Sequence, residues 1–134
     1  MANSLYDNAR EYFLGTAGNW LTVDLRALLV SDKYVFDPKH VFLSDIPIAD
    51  RLAMSSPLTG ASATDGYAYV DNINTPPITA GEKVNAIVIS SWTGADSTSR
   101  MFAYLDDALQ LPLVSDGSIP YVSFDATTRS VFRI

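Results

Sequence analysis

The stretch that most restricts the fold is Lys83 to Trp92, where Val84, Ala86, Ile87, Val88 and Ile89 form a run apolar on both faces of an extended chain. A strand with one wet face alternates in polarity. A strand apolar on both sides has to be central, paired along both edges and covered above and below. The clearest alternating strand lies earlier in the chain. Leu21, Val23, Leu25, Ala27 and Leu29 alternate with Thr22, Asp24 and Arg26, a strand on the order of 30 Å long at about 3.3 Å per residue. Leu28 and Val30 make both faces of its far end apolar, so that end too is expected to be covered.

The acidic residues point the same way. Thirteen are Asp and only two, Glu11 and Glu82, are Glu. Asp favours turns and caps, whereas Glu fills exposed helix faces, so the chain reads as rich in turns and poor in helix. At 134 residues and 48% apolar, it has the length and hydrophobicity for one domain with a real core. With no Cys there are no disulfides, thiolate metal sites or Cys nucleophiles. A net charge of −6 with scattered Lys and Arg disfavours nucleic acid, which needs clustered cations. No apolar run approaches the roughly 20 residues of a membrane helix. Met1-Ala2-Asn3-Ser4 lacks the basic and apolar regions of a signal peptide, so synthesis inside the cell is expected.

One longer helix is expected near the start. Ser4 caps it with Asp7 three residues on, Leu5, Ala9, Tyr12 and Phe13 form an apolar stripe, and Gly15 stops it. Such a helix must dock, on its own sheet or on a neighbouring subunit. Asp37-Pro38 predicts a short helical turn to Ser44, ended because Pro47 biases Ile46 to extended geometry.

Weak alternation over Arg51 to Ser55 and turn signals at Thr59-Gly60 and Thr64-Asp65-Gly66 lead to Gly66 to Val70, with Tyr67 and Tyr69 on one face. Pro76-Pro77 belongs at an edge or in a loop. The polar loop Thr93 to Ser99 joins the central strand to Arg100–Leu105 as a hairpin. A long connection, Asp106 to Pro120, precedes a closing hairpin of Tyr121–Asp125 and Arg129–Ile134. The expected architecture is mainly β: an antiparallel β-sandwich, Greek-key-like, with one N-terminal helix and a short helical turn. Residues 1–134 form a single domain, residues 1–18 a helical segment or interaction arm and residues 19–134 the sandwich.

Chemistry is sparse. His40 is the only His, no Gly-x-Ser-x-Gly surrounds any serine, and a triad has little to rest on. Zinc lacks ligands. Asp106-Asp107 and Asp71-Asn72-Ile73-Asn74 offer oxygen groups for calcium but no EF-hand pattern. No catalytic, cofactor or metal residues are assigned. Tyr67, Tyr69 and Trp92 are divided between core and interface, since Tyr and Trp bury large areas at low entropic cost.

Several words in order resemble a known family: Leu5-Tyr6-Asp7-Asn8-Ala9-Arg10-Glu11 leading to Asn19-Trp20, the long strand ending Leu29-Val30-Ser31-Asp32, His40 to Pro47, Leu58-Thr59-Gly60 before Thr64-Asp65-Gly66, and the closing Phe-Arg-Ile. The order, spanning nearly the whole chain, resembles small structural proteins of tailed-bacteriophage virions, of the capsid cement or decoration type. The resemblance implies a non-catalytic β-rich protein of the virion, in many copies, binding neighbouring subunits of the major capsid protein to stabilise the head. Many weak contacts on one particle add to near-permanent attachment. A homo-oligomer, first of all a trimer, follows from local threefold positions. The contacts are assigned to Leu5, Tyr6, Tyr67, Tyr69, Trp92, Thr93 and Asp96. Two other readings stay open: a tail or head-to-tail connector component, and a carbohydrate-binding sandwich using Tyr67, Tyr69 and Trp92.

Overall fold

The structure, a computed structural model, describes residues 4–7, 9, 24–55, 58, 62–64, 67–69, 81–105, 113–114 and 132–133. The protein is mainly β, and every strand pair is antiparallel. The strands are β1 (Ser4–Leu5), β2 (Leu25–Ser31), β3 (Arg51–Met54), β4 (Ser62–Thr64), β5 (Tyr67–Tyr69), β6 (Lys83–Ser91), β7 (Met101–Leu105), β8 (Leu113–Val114) and β9 (Phe132–Arg133). The larger sheet runs β1-β7-β6-β2-β3, and β8 also pairs with β6; the smaller runs β4-β5-β9.

β6 is central, as its composition requires. From Ala86 to Ser91 every residue is buried. β2 lies along one side, Leu25 opposite Ser91 and Val30 opposite Ala86. β7 lies along the other, Ile87 opposite Leu105 and Val88 opposite Tyr104. β8 meets β6 at Lys83 and Val84, beyond the end of β7, so two separate segments share that flank.

Cross-strand partners share a face. Leu28, Val88 and Tyr104 therefore form a row on one side and Leu29, Ile87 and Leu105 a row on the other. Both rows are buried, each fully buried aliphatic side chain contributing about 1.5–3 kcal/mol of transfer free energy. The first face is covered by the segment from Asp32 to Asp50, here called the strap. Phe36 stacks on Tyr104 with ring centroids 4.9 Å apart, and Tyr34 lies 6.0 Å from the same ring.

Three expectations change. The N-terminal helix is not supported: Ser4–Leu5 is a strand, with Ser4 opposite Tyr104 and Leu5 opposite Ala103. Asp7 and Ala9 have helical backbone, and the rest of the proposed stripe, Tyr12 and Phe13 included, lies outside the described residues. Pairing wins over capping because the free edge of β7 supplies partners that an isolated short helix lacks; the Tyr6 amide extends the pairing by donating to the Phe102 carbonyl, 3.1 Å.

The short helix expected over Pro38–Ser44 is split into two turns. At the first, the Asp37 carboxylate accepts the Lys39 amide at 2.9 Å and the Asp37 carbonyl accepts the His40 amide at 3.0 Å. A 3-10 turn follows at Leu43–Asp45. Asp45 reaches back to accept the Val41 and Phe42 amides at 2.8 and 3.1 Å. Ile46 is extended, as Pro47 demands. Finally, the long connection after Leu105 contains β8, a two-residue strand that no alternation announces. Of the closing hairpin only β9 is described, and it pairs with β5. Residues 106–112, 115–131 and 71–80, with their Asp pairs and prolines, lie outside the described residues.

Candidate functional site

Two constructions stand out around the strap. The first is the β6–β7 connection, Trp92 to Arg100. Gly94 adopts φ +97°, a left-handed conformation that L side chains rarely take, and this lets the chain reverse. The 3-10 turn Asp96–Thr98 follows. The Ser99 hydroxyl donates to the Ala95 carbonyl, 2.8 Å, and accepts the Thr93 amide, 3.1 Å. Thr93 and Thr98 join hydroxyls across the loop. The Ser91 hydroxyl accepts the Arg100 amide, 3.0 Å. The loop's polar groups thus bond largely to one another, and Thr93, Gly94, Ala95, Ser97 and Thr98 are left exposed on a closed frame.

The strap docks on this frame. Leu43 donates its amide to the Ser99 carbonyl, 2.9 Å, and Met101 donates to Val41, 2.8 Å. The Arg100 guanidinium sits 5.4 Å from the Phe42 ring centroid. Arg51 locks the assembly: its guanidinium donates to the carbonyls of Leu43 (2.7 Å) and Ile46 (2.7 and 3.1 Å) and forms an ion pair with Asp96. Its planar fork of donors suits three directions at once, which an ammonium cannot match.

The second construction is a hydrogen-bonded chain from the core to the surface. Tyr6 is fully buried, and its phenol oxygen lies 2.8 Å from that of Tyr34. The Tyr34 hydroxyl lies 2.9 Å from His40 Nδ1, and His40 Nε2 lies 4.0 Å from an Asp37 carboxylate oxygen. Burial pushes the Tyr6 phenol far above its usual range and the Tyr34 phenol up to about 12. Both are therefore neutral hydrogen-bonding groups at any ordinary pH.

The seven residues assigned to partner contact separate accordingly. Leu5 and Tyr6 are core residues, 5% and 0% exposed, so their side chains are spent inside the chain. Trp92 is half-buried against the core, its amide donating to Asp24 at 2.9 Å. Thr93 is exposed on the loop frame, and Asp96 is paired with Arg51. Tyr67 and Tyr69 lie in β5, opposite Thr64 and Ser62.

Tyr34, Arg51 and Tyr104 are central here and were missed by the sequence reading. Tyr34-Val35-Phe36 carried the only signal, a period-two aromatic pair in a polar segment: Tyr34 and Phe36 point inward and Val35 is 78% exposed. Among the described residues no three His, Asp or Glu side chains converge as metal ligands, and no helix is long and apolar enough to cross a membrane. Comparison with protein-family models, curated proteins and solved structures finds no match to this chain.

Proposed function

We propose that this protein is a structural component of a tailed-bacteriophage virion, a capsid cement protein that binds neighbouring subunits of the major capsid protein and acts through contact alone. Its class rests on the ordered resemblance described above. The observation that carries it into the structure is the β6–β7 loop, whose exposed residues sit on a frame closed by its own hydrogen bonds. A surface already in one conformation loses little entropy when it docks. Small polar side chains at its tip suit close approach to another protein's backbone. Repeated over a symmetric shell, modest affinity per site suffices.

In this reading the protein works as a homo-oligomer, a trimer first, resident in the virion. A sandwich completed by the three-stranded sheet belongs to the same proposal. Loop residues Thr93, Ser97 and Thr98 replace Leu5 and Tyr6 as the contact set, with Trp92 bracing them from behind. Purified heads of the phage that carries the protein are expected to retain it in stoichiometric amount. Ser97→Arg is expected to lower retention about tenfold without changing the melting temperature. Recovery in tails alone moves the assignment to a tail or connector component, and recovery in neither fraction ends it.

A further inference from the structure

Independently of that reading, we infer that His40, Tyr34 and Tyr6 form a proton-operated latch, in which uptake of a proton at the half-exposed imidazole loosens the N-terminal strand from the sheet. The argument is a count of donors and acceptors. Among the described residues Tyr6 has one polar contact through its side chain, the Tyr34 oxygen, and Tyr34 has two, Tyr6 and His40 Nδ1. With neutral His40 carrying its proton on Nε2, the Tyr6 hydroxyl donates to Tyr34, and Tyr34 donates to the Nδ1 lone pair. Every donor is then satisfied, and the Nε2 proton points toward Asp37.

A proton added at Nδ1 reverses the chain. The ring now donates to Tyr34, and two hydroxyl protons compete for the one remaining contact. One buried O–H loses its acceptor whichever way the pair is arranged. An orphaned buried donor shifts an equilibrium by about ten- to a hundredfold.

Groups from three segments surround the chain. From the strap come Asp37, 4.0 Å from Nε2, and Asp45, whose carboxyl His40 helps to hold down. Just after β1 comes Tyr6, and from β7 comes Tyr104, packed on Tyr34; both are neutral phenols and offer no compensating charge. A proton placed on the ring from the solvent side therefore has its cost on the phenols inside. Tyr6 is the residue least able to absorb it, because its amide and that of Asp7 tie β1 to Phe102 and Pro38. Imidazole is the side chain whose charge changes across mildly acidic pH.

The test is native-state amide hydrogen exchange at about pH 7.5 and about pH 5, corrected for the pH dependence of exchange chemistry. Protection of the Tyr6 and Asp7 amides is expected to fall about tenfold on acidification, while that of Ser91 in the central hairpin stays level. In His40→Gln the pH response is expected to vanish, and in Tyr34→Phe protection is expected to be low at both values. A response that survives His40→Gln, or equal protection at both pH values in the unaltered protein, overturns the latch. A measurement without substitution runs alongside: the ring carbon shifts of Tyr6 and Tyr34 are expected to move with the His40 titration, and flat Tyr6 shifts reject the proposal.

Discussion

The central sheet and the strap across it are held by different physics. β2, β6 and β7 meet through continuous apolar rows, with backbone ladders satisfying the polar groups. The strap has a few apolar anchors, Phe36, Leu43 and Ile46, but its course is fixed by individual polar contacts: Asp45 to two amides, Arg51 to two carbonyls and Asp96, Tyr34 to Tyr6 and His40. Apolar burial is shared among many neighbours, so it tolerates imprecise partners. The polar contacts are directional, and each has one or two suppliers. The sheet should therefore fail globally when cut, and the strap locally.

The largest effect tests the first half of that contrast. Phe102→Ala, at a fully buried position, is expected to cost about 3–5 kcal/mol and to lower the chemical-denaturation midpoint as one cooperative transition. Next comes the strap's own hub. Arg51→Ala removes donors from two carbonyls and strands Asp96, for about 2–3 kcal/mol. Hydrogen exchange is expected to show the loss concentrated at Leu43 and Thr93, with β6 still protected. If Arg51→Ala instead lowers protection equally everywhere, strap and sheet are one cooperative unit and the distinction falls.

Asp45 gives a smaller, pH-resolved signal. The Val41 amide above all, with Phe42 and His40 helping, holds its carboxyl below the usual range against some desolvation. A depressed carboxyl contributes stability that is present above its unfolded value and is lost as pH falls through the lower folded value. Asp45→Asn is therefore expected to flatten part of the acid limb of the stability curve between about pH 5 and 2, by under about 1 kcal/mol because the side chain is exposed. The smallest effect has the opposite sign. Among the described residues Ser90 has the one buried side-chain hydroxyl without a hydrogen-bond partner. Ser90→Ala is expected to be neutral or stabilising by up to about 1 kcal/mol in thermal melts.

What could be read from the amino acids follows the same division. Val84 to Ile89 declared a central strand, and the alternation from Leu21 onward declared a second, of which Leu25–Ser31 is described as β2, because apolar patterning is a local property of the chain; that the two pair was not written in either. Arg51 gave no sign of its role, since its three partners come from two other segments and nothing adjacent encodes them. Ser4 misled: Ser-x-x-Asp ahead of an apolar stripe is a sound helix start, yet the edge of β7, about a hundred positions away, offered better terms. β8 is too short for any periodicity to show. At the candidate site, Thr93 to Ser99 was legible as a polar loop, but the self-bonding that closes it depends on the Ser99 hydroxyl turning inward, which composition does not reveal.

The pairing of Ser4 with Tyr104 carries a consequence for biosynthesis. Ribosomes add about 5–20 residues each second, so the first strand leaves the tunnel roughly 5–20 seconds before its docking edge exists. During that interval Tyr6 has no pocket, and the nascent chain carries an unhoused aromatic. Seating it has to wait for β7, and a chain stalled before Leu105 would be expected to display Tyr6 to chaperones.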